Sequence, residues 1–219
     1  MAITITTEER GILFAEAQGG NANRLAHQLQ LIANREGCTL EDVLALTKNS
    51  DRSTILHVSA EYGRVGILDY YFTLFVFRPA LRKGLLSEKN VMLDAPIHIA
   101  TRKREHNFVT ALINEGVDVN LPGPFGFTPL HIAAHDGNTT LVEDLLAIPN
   151  INIDAQSMSK ETALHLVAHN DDLDTTRVLL DNRASAQVRN ASDCTPGQVT
   201  RSIPNSRVRA YMIQRGLSC

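Results

Sequence analysis

Apolar positions recur along this chain in short blocks at helical spacing, two blocks at a time. Leu130, Ala133 and Ala134 share one helical face, and Leu141, Val142, Leu145 and Leu146 share the face of a second helix. Gly137 stands between them, suited to a left-handed helix end. Thr128-Pro129 opens the first block, with Thr as N-cap and Pro at the first helical position, where its missing N–H costs nothing. Two helices this short cannot bury such faces alone, so the pair needs copies of itself on either side.

The copies are present. Thr128-Pro-Leu-His-Ile-Ala133 returns as Thr162-Ala-Leu-His-Leu-Val-Ala168, starting 34 residues later, and as Ala95-Pro-Ile-His-Ile-Ala100, 33 residues earlier. Thr195-Pro196-Gly197 follows Thr162 by 33 residues and has lost the Leu-His. Thr54-Ile-Leu-His-Val-Ser-Ala60 precedes Ala95 by 41 residues, which marks an insertion. At the start, Gly11-Ile-Leu-Phe-Ala-Glu-Ala17 with Gly20-Asn21 matches Ala134 to Asn138 in register. A Thr-Pro-Leu-His-x-Ala motif recurring at this period resembles the ankyrin repeat family over essentially the whole chain.

The resemblance implies an all-α fold: an ankyrin-repeat solenoid of about five to six helix-turn-helix units, with short β-hairpin-like fingers and two insertions. The units are read as one array over 1–219. It comprises 1–50 (an N-terminal cap repeat plus an inserted helix), 51–93 (a repeat with an insertion), 94–126, 127–160, 161–193, and 194–219 (a C-terminal capping repeat).

Local signals fill in the elements. Thr6 or Thr7, followed by Glu8 and Glu9, starts a helix whose Ile12, Leu13 and Ala17 would face inward. Asn21 to Ile32 carries the stripe Leu25, Leu29, Ile32, and Thr39 to Leu46 reads as a short extra helix. Residues Thr73 to Asn90 form an overlong connection, preceded by a run over 70–77 that holds five of the eleven aromatic residues. That run either packs the second helix of its repeat or forms an exposed apolar patch for a partner. The connections Val119–Phe127, Ile153–Glu161 and Val188–Cys194 correspond to the family's fingers, with Gly126 as turn glycine and Lys160 and Asp193 in its place later. Arg104 and Asp171 stand where Gly137 stands, at a cost of about 1 kcal/mol if the turn is left-handed. The last unit breaks at Ser202-Ile203-Pro204, after which Val208, Tyr211, Met212 and Leu217 pack back.

Composition narrows the function. A net charge of −3 argues against a dedicated nucleic-acid binder. From Arg177 onward seven arginines face only Asp181 and Asp193, either a solvated basic face or a surface for an acidic partner. Cys38, Cys194 and Cys219 are odd in number and far apart, which fits a reducing compartment. The first twenty residues lack a basic-then-apolar signal pattern, and Tyr70 to Phe77 is too short to cross a bilayer. An intracellular place, cytoplasmic or nuclear, is expected, or the host cytoplasm if the chain is a bacterial or viral effector.

His57, His98, His131 and His165 occupy one repeat position, where a buried imidazole bonds backbone and the Thr hydroxyl and ties helix start to finger. His131/His135 and His165/His169 are also i, i+4 pairs, a spacing that can hold zinc, but no third ligand is evident. No Gly-rich phosphate loop, Gly-x-Ser-x-Gly elbow or Cys–His pairing is present. The expectation is no catalytic residue, no cofactor and no metal.

The function implied is binding of another protein by a monomer, on the concave surface of fingers and first-helix ends. By register that surface carries Glu61, Tyr62, Arg102, Lys103, Phe125, Phe127, His135, Asp136, Met158, Lys160, His169 and Asn170, with Phe125 as the best single anchor. The alternative is a metal-binding or enzymatic protein using the two His pairs or the inserted segments; stoichiometric zinc in purified protein would favour it. Asn120, with Leu112 eight residues before and Asp118 two before, resembles the asparagine that hydroxylases modify in this family. Intact mass after incubation with such an enzyme decides that point.

Overall fold

The computed structural model describes residues 3–217, and the chain divides into two compact units, Met1–Asp118 and Val119–Cys219. The first unit contains α1 (Thr7–Gly19), α2 (Ala22–Glu36), α3 (Leu40–Leu46), α4 (Ile55–Glu61), α5 (Val65–Leu74), α6 (Pro79–Leu86), α7 (Pro96–Arg102) and α8 (His106–Asn114). The second contains α9 (Pro129–His135), α10 (Thr139–Leu146), α11 (Ala163–His169), α12 (Leu173–Asp181), α13 (Pro196–Val199) and α14 (Arg207–Gln214), with short 3₁₀ turns at Pro124–Gly126 and Thr200–Ser202.

Local chemistry starts many of the helices. The Thr6 hydroxyl accepts from the Glu9 N–H at 3.2 Å while the Glu9 carboxylate accepts from the Thr6 N–H at 2.8 Å, a reciprocal cap. Thr39 and Asp42 repeat it at α3. Within the first unit α1 packs on α2 and α4, α4 on α7, and α5 on α8. Leu13, Ala17, Leu25, Leu29, Leu56, Ile67, Phe108 and Leu112 are buried there. Within the second unit α9, α11 and α13 stack in sequence, as do α10, α12 and α14. Neither pair of short helices buries its apolar stripe without the next one.

Three readings of the first unit change. Ile12 is exposed, because one residue of helix turns it about 100° from Leu13, which takes the buried seam. The stretch after Thr73 is not only a connection: Pro79 opens α6, which buries Leu85 and Leu86. The aromatic run divides, with Tyr71 and Phe75 buried and 5.9 Å apart between ring centroids, and Phe77 93% exposed.

The connections carry no strand ladder among the described residues, only one isolated bridge, Lys48 to Thr54. They are five copies of one tight turn, at 49–53, 90–94, 123–127, 157–161 and 190–194. In each, the first residue's N–H reaches the fifth residue's carbonyl at 2.7–3.0 Å. The fourth residue has φ between +57° and +75° in every copy: Arg52, Leu93, Gly126, Lys160 and Asp193. Arg104 and Asp171 likewise hold positive φ at the helix ends where Gly63 and Gly137 also sit. Asp171 does more than tolerate that geometry. Its carboxylate accepts from the Ser206 hydroxyl at 2.7 Å and the Val208 N–H at 3.0 Å, capping α14 from 35 residues away.

Candidate interaction surface

The repeated histidine fixes each finger to a helix start. The Thr54 N–H donates to His57 Nδ1 at 3.1 Å, and the pattern repeats from Ala95 to His98, Thr128 to His131 and Thr162 to His165 at 3.0–3.2 Å. Since a backbone N–H only donates, Nδ1 is the bare nitrogen and the proton sits on Nε2. Nε2 then donates to the next finger: His57 to the Asp94 carbonyl at 2.9 Å, His131 to Glu161 and His165 to Cys194 at 3.0 Å. Burial pushes all three imidazoles below their ordinary value, partly offset by those carbonyls. They are therefore neutral structural links.

That commitment bears on the paired histidines. Both ring nitrogens of His131 and His165 are hydrogen-bonded within the protein. His135 Nδ1 faces the Asp136 carboxylate at 2.9 Å, and His169 Nε2 faces Glu161 at 3.0 Å. Among the described residues, no group of three or more His, Cys, Asp or Glu side chains is placed to hold a metal ion. No helix among them is long and apolar enough to cross a membrane.

The fingers so fixed present apolar tips. In the second unit Phe125 is 75% exposed at φ +55°, and Met158 on the next finger is 73% exposed. The two tips are joined by the Met158 N–H donating to the Phe125 carbonyl at 2.9 Å. Phe127 lies edge-on to Phe125 at 6.5 Å and stacks on His131 at 5.4 Å, so it supports the anchor as a half-buried side chain. Lys160 occupies the left-handed corner of the following turn. At the helix ends, the Asn170 amide donates to the His135 carbonyl at 2.8 Å, which groups His135, Asp136 and Asn170, while His169 is held by Glu161.

In the first unit the charged positions neutralise one another. Lys103 pairs with Glu61 at 2.9 Å, and Arg102 grips Asp94 with two nitrogens at 2.9 and 3.0 Å. Tyr62 stands exposed beside them. Sequence reasoning missed the apolar residues of this unit's finger: Val91, Met92 and Leu93 all face solvent, Met92 at 65%. The signal was Asn90, which starts its turn as Asn49 and Asn190 start theirs and lies 33 residues before Gly123, the same repeat period. Asn120 uses its side-chain amide on both sides, donating to the Asn150 carbonyl at 2.9 Å and accepting from the Asn152 N–H at 2.8 Å.

Comparisons with known proteins agree with this geometry. A family model described as ankyrin repeats (3 copies) matches residues 78–157 and 130–198. Alpha-latroinsectotoxin-Lt1a of Latrodectus tredecimguttatus is 34% identical over 123 residues, 56% of this chain and 8% of that protein. The probable 26S proteasome regulatory subunit p28 of Saccharomyces cerevisiae is 27% identical over 120 residues, 52% of each chain. NF-kappa-B inhibitor zeta of Homo sapiens is 26% identical over 132 residues, 57% of this chain and 18% of that one. The matches thus span between 8% and 52% of these relatives' lengths. Among solved structures, the ankyrin repeat domain of Bcl-3 superposes with a TM-score of 0.73 over 92% of this chain and 97% of that one, at 19% identity, a likeness of fold.

Proposed function

We propose, from the premise that this chain belongs to the ankyrin repeat family, that it is a protein–protein interaction module without catalysis, gripping a partner on its finger tips and first-helix ends. The whole of 1–219 acts as one array, with unit boundaries after 50, 93, 126, 160 and 193. Two similar proteins carry names of regulators, an inhibitor and a proteasome regulatory subunit, which supports a binding role.

One observation carries the reading: large apolar side chains held outward on short, cross-linked turns. Phe125 and Met158 are three-quarters exposed on tips whose backbones are hydrogen-bonded to each other. A side chain already ordered by its backbone loses little entropy on binding, and a rigid aromatic anchor contributes most of what such interfaces gain. In the first unit, the ion pairs of Glu61 with Lys103 and Arg102 with Asp94 neutralise the charged positions of that unit's share of the surface.

The experiment is affinity capture from cell lysate with the parent chain, Phe125→Ala and Arg102→Glu. A specific partner retained by the parent and lost by at least one variant, with unchanged circular dichroism, supports the surface. Equal capture by all three chains removes it.

A further inference from the structure

The first unit holds a cleft of about 400 Å³ that the surface above does not include. One wall is α1, which contributes Thr7, Arg10, Gly11 and Phe14, residues three and four apart and hence on one helical face. The other wall is the first finger, with Lys48, Asn49 and Ser50. We infer that this cleft is a separate docking site for an acidic segment of a partner polypeptide, taking one large apolar side chain on its floor and a neighbouring carboxylate at its rim.

The floor is carbon. Phe14 is half-buried, and Gly11 leaves the space above the helix open, since a Cβ built there meets nothing within 4 Å. The volume lies at the small end of ligand clefts, enough for one or two side chains.

The rim donates. Arg10 is exposed, and its guanidinium makes no hydrogen bond or ion pair with the described residues. Asn49 spends its carbonyl oxygen on the Ser53 N–H at 2.7 Å, which leaves its NH₂ as the outward group. Three of the acids nearby are engaged with other groups. Glu88 holds the Lys48 ammonium, Glu9 pairs with Arg35, and Asp51 accepts from the Ser53 N–H and hydroxyl. Lys48 is thereby neutralised, and Arg10 is the net charge of the cleft. An unpaired guanidinium above an apolar floor selects a carboxylate next to an apolar side chain, because its planar fork matches the carboxylate oxygens.

The test is a titration of ¹⁵N-labelled full chain with the peptide Ac-Leu-Asp-Asp-NH₂, followed by amide chemical shifts. Saturable shifts confined to residues 7–14 and 48–50 are expected. Ac-Leu-Asn-Asn-NH₂ and Ac-Ala-Asp-Asp-NH₂ should each bind about tenfold more weakly, the loss of one charge-assisted contact or one buried side chain. Arg10→Gln should bring the acidic peptide down to its amide twin and leave the twin unchanged. Gly11→Leu should abolish both while melting no lower than the parent, since Leu favours a helix interior over Gly. Shifts elsewhere, no saturation, or full binding by folded Gly11→Leu would overturn the assignment. Phe125→Ala leaves these shifts unchanged, so this site and the finger surface fail or stand independently.

Discussion

Acid should loosen this fold in a window set by its buried histidines. His57, His131 and His165 are almost completely buried, and each imidazole is held below its ordinary value by that burial. In the unfolded chain a histidine titrates near 6.5. As pH falls through that value the unfolded chain takes up protons that the folded one refuses. The stabilisation is therefore fully present above about pH 6.5 and is lost as pH falls toward the depressed folded values. Each proton taken up only by the unfolded chain contributes a limiting slope of about 1.4 kcal/mol per pH unit, so three set an upper bound of roughly 4 kcal/mol per unit. That is a large share of the 5–15 kcal/mol typical of a folded domain. Urea unfolding followed by circular dichroism, in steps from about pH 8 to pH 5.5, measures it. The midpoint should hold steady above pH 7.5 and fall steeply below pH 6.5. His131→Gln, which removes one titrating group, should reduce the slope by about a third. A midpoint flat to pH 5.5, or a slope untouched by His131→Gln, would refute the assignment of these imidazoles as neutral links.

Two further substitutions probe the corners of the fold. Asp171→Ala removes the oxygens that accept from Ser206 and Val208 and should cost about 1–2 kcal/mol by thermal melting. Burial raises the Asp171 carboxyl, but the Ser206 hydroxyl, the Val208 and Arg207 amides and the Arg207 charge together hold it below its ordinary 3.8; its stabilisation is present above that value and lost as pH falls below it. The variant should therefore lose less stability than the parent below pH 4. Gly126→Ala places a Cβ 3.0 Å from the Met158 N–H nitrogen at φ +75°, so it should lower the melting temperature and weaken partner capture by breaking the link from Met158 to Phe125.

Much of the interaction surface was legible because its scaffold is local. The Thr–His contact spans three residues, the caps span three, and the repeat period carries them down the chain. Phe125 and Met158 could be placed at tips because Gly126 and Lys160 mark the same corner of one turn. The same logic reaches Val91 to Leu93, one 33-residue period before Pro124 to Gly126, where Leu93 stands at the left-handed corner in place of the turn glycine. The pairs that blunt the charge of Arg102 and Lys103 join residues 8 and 42 positions apart, beyond any local rule.

By itself, then, the order of residues determined most of the helical segments, though not α6, and that a histidine would tie four of the helix starts to a finger. The caps and the Thr–His contact lie within one turn of chain, which spacing encodes, while the bonds from His57, His131 and His165 to the next finger span 29 to 37 residues and follow from the repeat period. Only the tertiary structure decided that Tyr71 and Phe75 are covered while Phe77 is not, that Ile12 faces water, and that Asp171 serves a helix 35 residues on. Burial is a property of what lies opposite a side chain, and what lies opposite is chosen by the packing of other helices, not by the neighbours in sequence.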